Sequence, residues 1–211
     1  MRALLRPARA RHATGAWTTA VVIYVALAVV AVGVAFARAR SPIQVEGWLP
    51  LGAVLGHLAS LAGGLVIATA TIKTTPRLVR RWPWARALHA QLRPAIRHSG
   101  DGAVLTLGVA SAVSEELFFR GLLATTIGLV ASSLAFGLLH QTPGPARWAW
   151  AAWATLMGLL FGALFFATGS LLGPMVAHAM INVANLRFIR DTDVDAPKPR
   201  RLGGLLGRTS S

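Results

Sequence analysis

Two adjacent glutamates, Glu115 and Glu116, lie in the apolar stretch "ASAVSEELFFRGLLATT", and Arg120 follows the second by four residues. A charge at the centre of a bilayer costs about 2.5 to 3.5 kcal/mol, so such residues need a structural or chemical reason. Glu116 and Arg120 are one helical turn apart and can form an ion pair. Glu115 points about 100 degrees away from Glu116 and has no partner in its own helix. We therefore expect Glu115 to be the acid that is available for chemistry.

Further polar side chains interrupt later apolar stretches of the sequence. His140 ends "SLAFGLLH", and His178 and Asn182 lie in "MVAHAMINVAN". His178 and Asn182 are one turn apart and share a helix face, which Asn185 continues. An acid, two imidazoles and an amide on separate spans favour a polar site inside the bundle.

The spacing along the chain allows Glu115 and His140 to meet. If the chain reverses near Thr126 and Gly128, the two residues lie about 17 and 20 Å from that turn, at 1.5 Å per residue. A carboxylate and an imidazole at one depth can share a water molecule. Taken singly, the same groups also fit a structural ion pair, a histidine at the membrane surface and hydrogen bonds between helices.

The composition indicates a polytopic membrane protein. Of the 211 residues, 55% are hydrophobic and 13% are charged, and the mean hydropathy is +0.57. Because a span needs roughly 20 apolar residues, the length allows one all-α bundle of about six transmembrane helices and no separate soluble domain. The candidate spans are Ala16 to Ala37, Leu49 to Ile72, Asp101 to about Thr126, about Gly128 to His140, Trp148 to Thr168, and Leu171 to Ile189.

The net charge of +14 follows the positive-inside rule and does not indicate nucleic-acid binding. Basic residues cluster before the first apolar run, between Lys73 and Arg97, and from Arg187 to Arg208, so both termini are expected to be cytoplasmic. The chain has no cysteine, which excludes disulfides and thiolate chemistry. The first run resembles a signal peptide with an Ala-x-Ala site at Ala35 to Ala37, but it is long, and we expect it to be retained.

Four regions follow from this pattern. Residues 1–15 are a basic cytoplasmic N-terminus, and residues 16–100 hold two transmembrane helices and a basic interfacial segment with tryptophans. Residues 101–190 are the predicted catalytic core, and residues 191–211 are a basic tail that we expect to be disordered. The composition, rich in Ala, Arg and Gly with very few Lys, suggests a bacterium with GC-rich DNA and the cytoplasmic (inner) membrane as the location.

The polar residues resemble, in order and spacing, the motifs of the CPBP family, the CAAX-protease and bacteriocin-processing intramembrane endopeptidases. The family pattern is E-E-x-x-x-R, then F-x-x-x-H, then H-x-x-x-N. In this chain the pattern corresponds to Glu115-Glu116 with Arg120, Phe136 with His140, and His178 with Asn182. The similarity covers roughly Asp101 to Ile189 and leaves the first two spans outside it.

The resemblance implies a glutamic-type protease without a cofactor that cuts a membrane-anchored protein or peptide within the lipid bilayer. Glu115 and His140 would activate a water, His178 and Asn182 would stabilise the oxyanion, and Glu116 and Arg120 would support the site. A zinc-dependent version remains open, because Glu115, His140 and His178 form a ligand set that zinc accepts. A non-catalytic scaffold or immunity protein with this fold is the alternative from another class.

Overall fold

The computed structural model describes residues 6 to 195, with side chains from residue 19 onward. This part of the chain forms seven helices and no sheet, which confirms the all-α prediction. Most of the predicted tail, residues 191–211, and the side chains of the basic N-terminus lie outside the described residues. The helices are α1 (Arg6–Ala37), α2 (Ala53–Arg81), α3 (Pro83–Ile96), α4 (Asp101–Ile127), α5 (Leu129–Leu139), α6 (Arg147–Thr168) and α7 (Leu172–Asp191).

Four of the described helices are long and apolar enough to cross a membrane: Thr19–Ala37, Ala53–Arg81, Asp101–Ile127 and Arg147–Thr168. The other two predicted spans also form helices but do not meet both criteria. Helix α5 has only 11 residues, fewer than the roughly 20 that a bilayer requires. Helix α7 has 20 residues but is less apolar. It packs between α2 and α4, which shield its polar side chains from lipid.

Helices α2 and α7 approach closely because small residues face each other. A Cβ on Gly64 or on Gly173 would overlap the backbone of the opposite helix. The hydroxyl of Ser60 accepts a hydrogen bond from the backbone N–H of Gly173 at 3.0 Å and donates one to the carbonyl of Ser170 at 2.8 Å. This contact fixes the start of α7 and therefore the height of the polar residues that α7 carries.

Helix α4 contains a π-helical segment, Leu117–Ala124, directly after the two glutamates. Such wide turns are frequent at functional sites. The hydroxyl of Ser132 on α5 donates to the carbonyl of Phe119 at 2.6 Å and so joins the segment to the next helix. The chain reverses at Gly128, whose φ of 90° favours glycine. The predicted turn near Thr126 and Gly128 is therefore found at that place.

The basic segment after the second span forms the separate helix α3. Helix α2 continues past the predicted end at Ile72 as far as Arg81, and Pro83 begins α3. The face of α3 that includes Leu88 and His89 is buried. Arg86 on the same helix is exposed and Arg93 is half-buried, so the amphipathic character expected of the segment is present. Its contact with lipid headgroups stays a prediction.

Helix α1 is part of the bundle. Ala31 is 1% exposed and packs in a cluster with Leu117 on α4, Phe165 on α6 and Leu171. Neighbouring valines such as Val22 and Val29 are exposed, as expected for a lipid-facing surface. The expected retention of α1 stays a prediction.

Candidate functional site

A buried ion pair lies at the centre of the bundle. The Oε1 atom of Glu116 is 2.9 Å from Nη1 of Arg120, and both side chains are buried, at 0% and 2% exposure. The guanidinium of Arg120 also lies over the ring of Phe136, 4.4 Å from its centroid. The turn spacing predicted this pair. Burial of both charges makes each one dependent on the other.

Glu116 has a second partner that the sequence did not indicate. Its Oε1 lies 2.8 Å from Nδ1 of His178, which belongs to α7. A carboxylate accepts only, so Nδ1 of His178 carries the proton and donates it. Glu116 therefore sets both the orientation and the tautomer of His178, and directs the Nε2 atom of that ring toward Glu115.

Glu115 faces two imidazole nitrogens without bonding to either. Its Oε2 atom lies 3.8 Å from Nε2 of His140 and 3.8 Å from Nε2 of His178. These distances are too long for direct hydrogen bonds. Among the described residues, Oε2 is buried and has no hydrogen-bond partner. An unpaired carboxylate oxygen beside two imidazoles is a place where a water molecule can bind and be deprotonated.

His140 is oriented by its own helix. Its Nδ1 atom lies 2.8 Å from the carbonyl oxygen of Phe136, one turn earlier. Since a carbonyl only accepts, Nδ1 donates, and in the neutral ring Nε2 keeps a lone pair toward Glu115. The ring of Phe136 packs against the imidazole, with centroids 4.2 Å apart. The "F-x-x-x-H" spacing thus places both the hydrogen-bond acceptor and the packing surface of His140.

Asn182 lies one turn after His178 on the same face of α7. Its Nδ2 donates to the hydroxyl of Ser111 on α4 at 3.0 Å. The structure therefore brings together all six residues singled out in the sequence, on α4, α5 and α7.

A cavity of about 290 Å³ opens from these groups. Its walls are largely aromatic and aliphatic, which suits an apolar chain. Besides the site residues, the lining comes mainly from the second halves of α2 and α7, from α3, and from the first parts of α4 and α6. It includes Leu78, Trp84, Leu88, Leu107, Trp150 and Phe188.

The donor set fits a zinc ion poorly as it is arranged. Within the described part of the chain, no group of three His, Cys, Asp or Glu side chains is arranged to hold a metal ion. Ligands about 2.0 to 2.1 Å from a tetrahedral zinc lie roughly 3.3 to 3.4 Å from each other. The Glu115 oxygen is 3.8 Å from each imidazole nitrogen.

Comparison with known proteins bears on the central part of the chain. Residues 102–184 match the Rce1-like family model, described as type II CAAX prenyl endopeptidase Rce1-like. This part of the chain is similar to that family, and the match covers less than half of the 211 residues. This match confirms the resemblance to the CPBP family, and Glu115, Glu116, Arg120, Phe136, His140, His178 and Asn182 all lie inside the matched residues.

A curated protein is similar to part of this chain. It is "Uncharacterized protein YpbD" from Bacillus subtilis (strain 168), 37% identical over 79 residues. The alignment covers 37% of this chain and 41% of the relative, so the chain matches about two fifths of that protein's length. No solved structure matches the chain.

Sequence reasoning missed two polar residues at the edge of the candidate site. Ser111 lies one turn before Glu115 and contacts Asn182, and Tyr24 reaches the same cavity from α1, outside the matched residues. The spacing of Ser111 relative to Glu115 was a usable signal. Tyr24 could not be found from spacing, because only the packing of α1 against α4 brings it there.

Proposed function

We propose that this chain is an intramembrane endopeptidase that hydrolyses a peptide bond of a membrane-anchored protein or peptide. The observation that carries the proposal is the unpaired Oε2 atom of Glu115, 3.8 Å from an imidazole nitrogen on each side. The family match supports peptidase chemistry. The catalytic assignments are Glu115, His140, His178 and Asn182, with Glu116 and Arg120 in support.

In the proposed first step, a water held between Glu115 and His140 loses a proton to the carboxylate and attacks the scissile carbonyl carbon. The C–O bond forms, and the carbonyl oxygen becomes an oxyanion. In the second step, the C–N bond breaks and the leaving nitrogen takes the proton held by Glu115. As that bond breaks, the oxyanion re-forms the carbonyl. The products are a carboxylic acid and an amine, which become a carboxylate and an ammonium group when the acid's proton passes to the amine, with no cofactor consumed.

His178 and Asn182 would stabilise the oxyanion. The second N–H of Asn182 is available for this, because Ser111 accepts only one hydrogen bond from that amide. His178 can donate from Nε2 only as an imidazolium, since its Nδ1 proton is directed to Glu116. The buried carboxylate of Glu116 supports that positive charge, which gives the ion pair a role in the chemistry as well as in the fold.

We infer that the cavity opens to the cytoplasmic side of the membrane. Its lining includes Thr75 and Val79 near the end of α2 and Ile189 near the end of α7. The basic loops lie at this end of the bundle, and the positive-inside rule places them in the cytoplasm. The substrate would therefore enter from the bilayer and the cytoplasm of a bacterial inner membrane. Water would reach Glu115 by the same route.

The proposed substrate is a membrane-anchored segment whose residues near the cut are apolar. This choice rests on the aromatic and aliphatic walls of the cavity and on the bilayer location. The matched family's description names CAAX prenyl substrates, but prenylated tails are not expected in the bacterial source that the composition suggests.

The test is cleavage by the purified full chain in liposomes of a panel of membrane-anchored peptides, with products identified by mass spectrometry. We expect cleavage by the wild type and a loss of at least about 100-fold in Glu115→Gln. Glu46→Gln is the matched control, because Glu46 is exposed and does not line the cavity. Equal cleavage by Glu115→Gln and wild type would refute the assignment of the base. Absence of cleavage by every variant would favour the non-catalytic scaffold.

A further inference from the structure

Ser111 is a buried hydroxyl that the proposed mechanism does not use. It is 5% exposed, lies one turn before Glu115 on α4, and lines the cavity. Its hydroxyl donates to the carbonyl of Gly108 at 3.3 Å and accepts from Nδ2 of Asn182 at 3.0 Å. It is therefore in contact with one of the two groups proposed to hold the oxyanion.

The single proton of Ser111 decides which way the Asn182 amide faces. Because that proton is directed to Gly108, the hydroxyl can only accept from its other neighbours. The NH₂ end of Asn182 satisfies this requirement, whereas the carbonyl end would meet an oxygen without a hydrogen. Ser111 thus selects one of two amide orientations that differ by a half-turn, and the selected one leaves a second N–H for the cavity.

Tyr24 approaches the same hydroxyl from the first helix. Its side chain lies near Ser111 and near the charge of Glu115, and lines the cavity. The adjacent residues Ile23 and Val25 are exposed, so a polar group at this position of α1 faces inward against a lipid-facing background. Since the Ser111 proton is directed to Gly108, a hydrogen bond between the two hydroxyls would have Tyr24 as its donor and would use the second lone pair of Ser111.

We propose that Ser111 is a positioning residue that holds Asn182 with its N–H groups toward the cavity, and that Tyr24 completes this hydrogen-bonded group. The inference rests on the proposed function, because it assigns Asn182 to the oxyanion. It also makes α1, which lies outside the matched family residues, part of the active site. The E-E-x-x-x-R, F-x-x-x-H and H-x-x-x-N motifs contain neither residue.

The chain offers a direct spectroscopic test. Asn182 and Asn185 are its only asparagines, and Tyr24 is its only tyrosine. Incorporation of asparagine with ¹⁵N in the side-chain amide into the full chain in detergent therefore gives two NH₂ signals, which Asn185→Gln assigns. We expect Ser111→Ala to shift the Asn182 signal clearly and Tyr24→Phe to shift it less. Ser133→Ala, which removes a hydroxyl bonded only within α5, should leave it unchanged.

Kinetics on a cleaved peptide form the second arm of the experiment. We expect Ser111→Ala to lower kcat about three- to tenfold, the range expected for loss of one neutral hydrogen bond, with KM within about twofold of wild type. Ser111→Thr, which keeps the hydroxyl, should recover part of the loss. The double variant Ser111→Ala with Asn182→Ala should be no slower than Asn182→Ala alone, because a positioning residue acts through its partner.

The two arms separate the failure of this inference from the failure of the proposed function. An unchanged Asn182 signal in Ser111→Ala would overturn the inference, whatever the wild type cleaves. A shifted signal with an unchanged kcat would also overturn the positioning role. A wild type that cleaves nothing, with an Asn182 signal that responds to Ser111→Ala, would count against the protease and support the amide orientation.

Discussion

At the scale of single residues, neighbouring glutamates have different surroundings. Glu116 forms an ion pair with Arg120 and accepts a hydrogen bond from His178, and its side chain is fully buried. Glu115 lines the cavity, and its Oε2 lies 3.8 Å from an imidazole nitrogen on each side. The helical turn explains the difference, because one residue of rotation moves the side chain from the interior of the bundle to the cavity wall.

The turn spacing predicted the Glu116–Arg120 pair from the sequence alone. It also predicted the shared face of His178 and Asn182. The bond between Glu116 and His178 could not be predicted, because it depends on the rotation of α7 against α4. Contacts between helices are set by packing, and no local spacing encodes them.

The buried pair gives the first prediction. Glu116→Gln leaves Arg120 in the interior without a counter-charge and replaces the charged acceptor of His178 with a neutral amide oxygen. Breaking a buried pair from one side costs about 3 to 5 kcal/mol, so we expect a large drop in the thermal unfolding temperature in detergent. Glu115→Gln should unfold close to wild type, because no hydrogen bond of Glu115 Oε2 is lost. Equal unfolding temperatures for Glu116→Gln and Glu115→Gln would contradict the described burial.

The metal alternative gives the second prediction. The Oε2 atom of Glu115 lies farther from each imidazole nitrogen than two ligands of one zinc ion lie from each other. Dialysis against a strong zinc chelator should therefore leave cleavage within about twofold of the untreated rate. Loss of cleavage in the chelator, followed by recovery on addition of zinc, would replace the glutamic mechanism with a zinc-dependent one.

At the scale of helices, the bounds of most predicted spans agree with the structure, since apolar runs end where charges or glycine begin. Gly128 marked the hairpin between α4 and α5, and Arg147–Thr168 differs from the predicted span by one residue. The extension of α2 to Arg81 was not predicted, because basic residues and a proline, Pro76, are more typical of a loop than of a membrane helix. The break falls instead at Trp82 and Pro83.

The small-residue contact between α2 and α7 gives the third prediction. Gly64→Ala adds a Cβ where the backbone of Gly173 already lies. We expect a loss of stability of about 1 to 3 kcal/mol, measured by unfolding in detergent. Gly102→Ala is the matched control, because nothing lies within 4 Å of its added Cβ. It should be neutral or slightly stabilising, since alanine favours a helix. A similar loss in both variants would show that the close approach is not required.

At the scale of the whole molecule, charge and cavity lie at the same end of the bundle. Basic residues of α2, α3 and α7 surround the end to which the cavity leads, whereas the loop after α1 carries Arg38 and Arg40 beside Glu46. The overall class and the basic end were readable from composition and charge. The cavity was not, because it is formed by side chains from all seven described helices, many of them distant in sequence.

The orientation gives the fourth prediction. The chain has no cysteine. In a single-cysteine variant, a thiol reagent can therefore label this protein only at the introduced position. In intact cells, a membrane-impermeant maleimide should label Ser41→Cys and leave His98→Cys unlabelled until the cells are opened; both positions are exposed. The reverse pattern would place the cavity on the outer side of the membrane.

The most direct test of the central claim, that the unpaired Glu115 carboxylate activates the attacking water, is a single-turnover cleavage rate in liposomes. Wild type, Glu115→Gln and Glu46→Gln would be compared on one identified peptide, with thermal unfolding measured for each. The account predicts that Glu115→Gln keeps the wild-type unfolding temperature and loses at least about 100-fold in the chemical step, while Glu46→Gln matches wild type in both. A Glu115→Gln protein that folds and cleaves at the wild-type rate would contradict it.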